Sequence, residues 1–166
     1  MPTILVIDDE TATLTMFRLF LNAMGHSVLT AEDGPTGLQL LAQEDPAIVF
    51  TDLKMPVMDG FDVIRAIKKK APATEVVVIT GHGDMDLVLQ ALNLEATDFI
   101  NKPIRDEVLS VSIQRAQEKR DIRRQLREYT DTLEQKVAQA TRELRRQSDF
   151  QAKLIQSATD GIIATD

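Results

Sequence analysis

An α/β fold, built on a five-stranded doubly wound parallel sheet and followed by one long helix, is what this sequence predicts. Three observations carry that expectation. Over the first hundred residues, short aliphatic runs alternate with segments of helical period, the pattern of repeated βαβ units. Acidic and polar residues gather where those aliphatic runs end. After Lys102-Pro103 the texture changes to a charged stretch, free of glycine and proline, that lasts to about residue 156.

Each element follows from local pattern. Aliphatic and β-branched runs bounded by polar or glycine-containing turns place strands at 3–7, 27–30, 47–51, 75–79 and 97–100. Four helices intervene. The first, over 12–24, lines up Leu14, Phe17, Leu21 and Met24 on one stripe, and Gly25 is placed to stop it. The others, over 35–43, 60–70 and 84–94, are shorter. From 105 to 156 a single helix is expected, and at 1.5 Å per residue it would extend roughly 78 Å, too long to pack on so small a domain. Its apolar or small residues Ile122, Leu126, Tyr129, Leu133, Val137, Ala140 and Leu144 are spaced four, three, four, four, three and four. That is a heptad seam with a stutter near Leu133, continued by Gln147, Gln151 and Leu154. The expected organisation is a globular domain over 1–120, a coiled-coil helix over 105–156 pairing two copies of the chain, and a short separate segment over 157–166. The heptad sets no direction, so antiparallel pairing stays open beside parallel, and a helix docked on its own domain is the alternative to both.

Composition excludes several classes. A chain of 166 residues holds one domain plus an appendage. With 43% hydrophobic and 27% charged residues it is neither disordered nor fibrous. Aromatics make up 4% and tryptophan is absent, so the core is aliphatic. Without cysteine there is no disulfide and no thiolate metal site, nothing demands an oxidising compartment, and the cytoplasm is the expected location. The longest apolar runs, Ile4–Ile7 and Val76–Ile79, fall far short of the roughly 18 residues a membrane span requires, and the N-terminus lacks a basic leader. Residues 1–103 hold 15 acids against 7 bases, whereas 104–166 hold 11 against 12. The acidity thus belongs to the globular part, where it disfavours nucleic acid and suits a cation.

In a doubly wound sheet, ligands bind at the carboxyl ends of the strands. Asp8 and Asp9 end the first strand, Asp52 ends the third, Thr80 the fourth, and Lys102 follows the fifth. With strand order 2-1-3-4-5, the first and third strands are neighbours and their three carboxylates share one cleft. Two carboxylates about 4 Å apart repel by roughly 4 kcal/mol at an effective dielectric near 20, so three need a counter-charge. Lys102 offsets part of it. A hard divalent cation such as Mg²⁺, which takes carboxylates, waters and phosphate oxygens, suits the remainder. An aspartate there can act as nucleophile toward phosphorus while the cation and the lysine neutralise the transferring group.

These segments, Val6-Ile7-Asp8-Asp9-Glu10, Phe50 to Gly60 with its Met-Pro-Val-Met-Asp-Gly loop, Val78-Ile79-Thr80-Gly81 and Asp98-Phe99-Ile100-Asn101-Lys102-Pro103, resemble the receiver domain of two-component response regulators over about residues 3 to 120. The resemblance implies a flavodoxin-like sheet. It implies that Asp52 accepts a phosphoryl group from a phosphohistidine on a kinase or phosphotransfer partner. Asp8, Asp9, Asp52 and the main-chain carbonyl of Lys54 would hold Mg²⁺, and Thr80 and Lys102 would bind phosphoryl oxygens. Phe99 stands where the family has an aromatic that moves with the threonine, and Lys102-Pro103 stands where it has a cis bond. Lys54 and His82 occupy positions that tune phosphoryl lifetime in the family. The tail Leu154 to Asp166, with Asp160-Gly161-Ile162-Ile163, resembles the helical lead-in and first strand of a PAS sensor domain, which makes the chain a piece of a longer protein.

Two rivals stand beside this reading. A haloacid-dehalogenase-like phosphatase would use Asp8 as nucleophile with Glu10 as its second acid, leaving Asp52 unexplained. A pseudo-receiver would be a scaffold without phosphoryl chemistry. Turnover is not expected of this piece: its two histidines, His26 and His82, both lie before the long helix, and no glycine-rich phosphate loop is present.

Overall fold

The structure, a computed structural model, describes residues 1–164 in backbone and 1–161 in side chain. The chain divides into two units, Met1–Arg123 and Arg124–Asp166.

In the first unit, strands β1 (Thr3–Ile7), β2 (Ser27–Ala31), β3 (Ile48–Asp52), β4 (Glu75–Thr80) and β5 (Asp98–Asn101) alternate with helices α1 (Thr11–Ala23), α2 (Gly34–Glu44), α3 (Gly60–Lys70) and α4 (Met85–Asn93). The sheet is parallel throughout, in the order β2-β1-β3-β4-β5. Buried β1, β3 and β4 are apolar on both faces, which is how strands read when helices cover both sides. Ile4, Val6, Phe50, Val77 and Ile79 meet Phe17 and Leu21 of α1 on one face, and Leu5, Val49, Val76 and Val78 meet Val63, Ile64 and Ile67 of α3 on the other. The one close ring pair, Phe17 with Phe50, lies at 5.2 Å between centroids and 50° tilt.

Helix starts follow capping chemistry. Asp33 accepts from the Thr36 amide at 2.7 Å to open α2, and Asp59 accepts from the Asp62 amide at 2.9 Å to open α3. Lys68, Lys69 and Lys70 in the last turn of α3 complement its dipole. Helix α1 stops at Ala23, and Gly25 follows at a φ of 86° that a side chain would resist.

At the base of the sheet, away from its carboxyl ends, β4 opens with a fully buried Glu75. Its carboxylate accepts a hydrogen bond from the Thr97 hydroxyl and stands 3.0 Å from the guanidinium of Arg123, which also donates to the Pro72 carbonyl at 3.4 Å. Lys68 of α3 lies close enough to feel both charges.

The last helix, α5 (Asp106–Ala164), is longer than the 105–156 expected. Its first turns enter the core through Leu109, Ile113 and Ala116. In the second unit, residues 124–161 are exposed on every side, and the stripe of Leu126, Tyr129, Leu133, Val137, Ala140, Leu144, Gln147, Gln151 and Leu154 runs along one helix, flanked by Phe150 and Ile155. Ile122, the first seam residue, is also exposed. The strand expected at Asp160–Ile163 is corrected: the backbone there is helical to Ala164. A lone strand leaves its amides and carbonyls without a ladder, whereas continuing the helix pairs them locally. Thr165 and Asp166, the end of the expected separate segment 157–166, lie outside the described residues. No described helix is long and apolar enough to cross a membrane.

Candidate functional site

Parallel pairing of β1 with β3, in which Ile7 faces Thr51, brings the residues after β1 and at the end of β3 to one cleft. Asp8, Asp9 and Asp52 each offer a carboxylate oxygen, and these oxygens lie within 4.8 Å of one another. Asp8 is fully buried and Asp52 is 7% exposed, while Asp9 faces solvent. Glu10 donates its amide to Asp8 Oδ1 at 2.8 Å, and Lys54 donates its amide to Asp52 Oδ1 at 3.3 Å, so each buried carboxylate is aimed by the backbone that follows its strand.

The cation that meets them arrives on β5. Lys102 Nζ stands 3.2 Å from Asp8 Oδ2, 3.3 Å from Asp52 Oδ2 and 3.3 Å from Glu10 Oε1. Burial alone would lower its pKa, but the pull of Asp8 and Asp52 outweighs that and raises it above the usual lysine range. One amine does not balance three acids. Burial first, and then the neighbouring Asp52 charge, push Asp8 up to about 6 against the opposing amide of Glu10 and the charge of Lys102. Burial likewise raises Asp52, with Lys102 opposing. Asp8 Oδ2 is buried and receives no hydrogen bond. An all-oxygen donor set with surplus negative charge and an unsatisfied buried oxygen fits a hard divalent cation such as Mg²⁺.

The loop leaving β3 has to pass close to the pocket. A Cβ on Gly60 would stand 2.4 Å from the Asp52 carbonyl, so only glycine lets α3 begin there. Ahead of it, Val57 takes a φ of 70° and is fully exposed, with the Met58 amide donating to the Pro56 carbonyl at 2.8 Å around it. The Lys102-Pro103 bond is cis.

Thr80 ends β4 in register with Asn101, and the amide of Lys102 donates to the Thr80 carbonyl at 2.8 Å. The Thr80 side chain is buried, and its hydroxyl donates to Asn101 Oδ1 at 2.7 Å. Phe99 is half-buried against the core cluster on the α3 face. Two expected residues are placed apart from the carboxylates: the Lys54 amine pairs with Asp84, the residue before α4, at 2.7 Å, and His82 is exposed. That pairing holds the Asp84 carboxyl below the usual carboxylate range. Asn101 and Asp84 are the functional neighbours that sequence reasoning missed. Asn101 had a signal, since residues in register on adjacent parallel strands project to the same face, and the strands' carboxyl ends fixed Thr80 opposite it. Asp84 had none, because the partnership spans two loops.

Comparison with known proteins agrees with this geometry. Residues 4–114 match the family described as response regulator receiver domain. The transcriptional regulatory protein AfsQ1 of Streptomyces coelicolor is 34% identical over 132 residues, covering 80% of this chain and 56% of AfsQ1. The response regulator PleD of Caulobacter vibrioides is 39% identical over 111 residues, covering 64% of this chain and 24% of PleD. A response regulator receiver domain protein from Clostridium thermocellum superposes with a TM-score of 0.70 at 35% identity, over 74% of this chain and 98% of that one. NtrX from Brucella abortus does so at 0.73 and 32%, over 75% of this chain and 28% of NtrX. The chain thus spans little more than half the length of AfsQ1 and about a quarter of PleD. The matched segment takes in every pocket residue from Asp8 to Lys102, and the chain belongs to the response regulator receiver domain family.

Proposed function

We propose that this chain is the phosphoacceptor module of a two-component phosphorelay, with Asp52 as the residue modified. Receiver domains are signalling modules rather than turnover enzymes, they bind Mg²⁺ at the acidic pocket, and response regulators interact with histidine kinases or phosphotransfer proteins. The observation that carries the reading here is the three-carboxylate cleft with Lys102 at 3.3 Å from Asp52.

In the proposed reaction an Asp52 carboxylate oxygen attacks phosphorus of a phosphohistidine. The P–O bond to Asp52 forms as the P–N bond breaks, and the leaving imidazole takes up a proton. Mg²⁺, held by Asp8, Asp9, Asp52 and the Lys54 carbonyl, supplies charge neutralisation at the phosphoryl oxygens when bound. Lys102 adds its own positive charge there, while Thr80 donates its hydroxyl to a phosphoryl oxygen and Phe99 repacks as the threonine moves. Lys54 and His82 flank this cleft and set how long the acylphosphate lasts. Acetyl phosphate with Mg²⁺ tests the assignment: the adduct is expected on Asp52 and lost in Asp52→Asn. An adduct on Asp8 would revive the phosphatase reading, and none at all the scaffold reading.

The output is proposed to be a homodimeric coiled coil through the seam from Ile122 to Leu154, supported by the exposed apolar stripe on a helix with no other cover. The helix replaces the strand on which a PAS-type reading rested, so the proposal leaves the class of output domain open. Sedimentation of the chain at micromolar concentration is expected to show a dimer, converted to monomer by Leu126→Glu with Leu144→Glu. A monomeric native chain, with and without beryllofluoride, would remove the dimer from the account.

A further inference from the structure

We infer that Asn101 is a latch on the switch threonine, holding Thr80 in the resting position and setting how strongly the pocket must pull to turn it. The inference rests on Asp52 being the phosphoacceptor and adds to it a positioning residue on β5.

A threonine hydroxyl carries one hydrogen. In this structure that hydrogen is given to Asn101 Oδ1 at 2.7 Å, a short and well-formed bond, on a side chain that is 1% exposed. A phosphoryl oxygen on Asp52 needs the same hydrogen. The two acceptors therefore compete, and the hydroxyl serves one or the other. Lys102 is under no such constraint: an ammonium has three hydrogens, here shared among Asp8, Glu10 and Asp52, and one can turn to a new oxygen without abandoning all its partners. Of the two groups placed to read the phosphoryl group, only the threonine has to break a bond to do so.

Asn101 is well suited to this role and poorly suited to a purely structural one. It is exposed at the end of the edge strand β5, so it fills no core space. Its backbone is already placed by the β4–β5 ladder, with Thr80 as its register partner and the Lys102 amide bonded to the Thr80 carbonyl. The side-chain bond is thus not what pairs the strands. When the hydroxyl leaves, Asn101 Oδ1 turns to water at little cost, because it is at the surface. Thr80 then trades one acceptor for another, and the net free energy of the lost bond becomes a threshold. A neutral intramolecular hydrogen bond is worth about 1 kcal/mol net, which corresponds to about a five-fold change in affinity.

The experiment titrates the native chain and Asn101→Ala with beryllofluoride in excess Mg²⁺, following Thr80 and Phe99 resonances. Removing the latch is expected to tighten beryllofluoride binding about five-fold. In a Thr80→Val background, where there is no hydroxyl to hold, Asn101→Ala is expected to change nothing. A merely structural asparagine would shift both backgrounds alike, and that result, or no shift in either, overturns the latch. A second measurement needs no ligand. The Thr80 side-chain couplings should report one rotamer in the free native chain and averaging in Asn101→Ala, and averaging already present in the native chain also overturns it. Failure of the native chain to bind beryllofluoride would instead overturn the Asp52 assignment, and the latch with it.

Discussion

The two ends of one parallel sheet bury carboxylates in opposite ways. At the carboxyl end, Asp8 and Asp52 are buried beside Asp9 with a single amine, Lys102, between them, and both buried acids are pushed above the usual carboxylate range. At the base, Glu75 is just as deeply buried but is bracketed by Arg123, the Thr97 hydroxyl and nearby Lys68. Acids outnumber bases at one end. Bases surround the acid at the other. There, burial first and then the charge of Arg123 lower the pKa of Lys68. The difference separates a structural ion pair from a functional one: surplus like charge inside a fold costs stability, and a protein keeps it where a ligand is to bring the missing charge.

Mutations should therefore act with opposite signs at the two ends. The largest effect is expected at the base. Arg123→Met leaves the Glu75 carboxylate buried beside a methyl group, and breaking a buried pair from one side costs about 3–5 kcal/mol. The lower figure is expected, since the Arg123 side chain is 35% exposed and Lys68 remains. Urea unfolding with an unchanged slope measures it. A loss under about 1 kcal/mol would mean the base is not held by charge, and the contrast fails.

At the pocket end Asp8→Asn should stabilise. Ionised Asp8 has a folded pKa of about 6 against 3.8 for the free group, which makes its charge worth about 3 kcal/mol of destabilisation at neutral pH. Because the asparagine forfeits the attraction of Lys102, about 2 kcal/mol is the expected gain in metal-free buffer at pH 7. The pH dependence fixes the cause. A raised folded pKa means that the contribution of Asp8 to stability is full below about pH 4 and is lost as the pH rises through 6. The advantage of Asp8→Asn should therefore vanish near pH 4 and grow toward pH 7. Added Mg²⁺ should raise the melting temperature of the native chain and leave that of Asp8→Asn unmoved. A variant less stable than the native chain at pH 7 would show that Lys102 already balances the pocket.

How much of this was legible follows from what each feature depends on. The strands and the first helices could be read because aliphatic runs and helical stripes are local, and Asp8, Asp9, Asp52 and Lys102 because doubly wound topology sends every strand's carboxyl end to one edge. Glu75 was not legible as a buried acid. It opens an aliphatic run and looks like a polar boundary residue, and its partner Arg123 lies 48 positions away in a stretch crowded with arginines. Asn101 was quoted inside a motif yet given no role, since its bond to Thr80 depends on a rotamer that no spacing specifies. The end of the long helix was misjudged because Asp160-Gly161-Ile162-Ile163 has the composition of a turn and strand, and composition does not reveal whether a neighbouring strand exists to pair with it.

The smallest expected effect separates backbone strain from charge at the pocket end. Three non-glycine residues have positive φ: Asp45, Glu95 and Val57. Asp45 caps the end of α2, a place and a residue type that tolerate the left-handed region, and Glu95 follows the last residue of α4 closely. Val57 is different, being β-branched, fully exposed and in the loop between Asp52 and α3. Having no packing to lose, Val57→Gly removes only the conformational penalty, of order 1–2 kcal/mol, and adds back up to about 1 kcal/mol of unfolded-state freedom. A net gain of about 0.5–1 kcal/mol in urea unfolding, equal at pH 5 and pH 7, is expected, because no titrating group is involved. A gain that tracked pH as that of Asp8→Asn does would mean the loop is held in its strained shape by the carboxylates, and the two sources of instability at this end would be one.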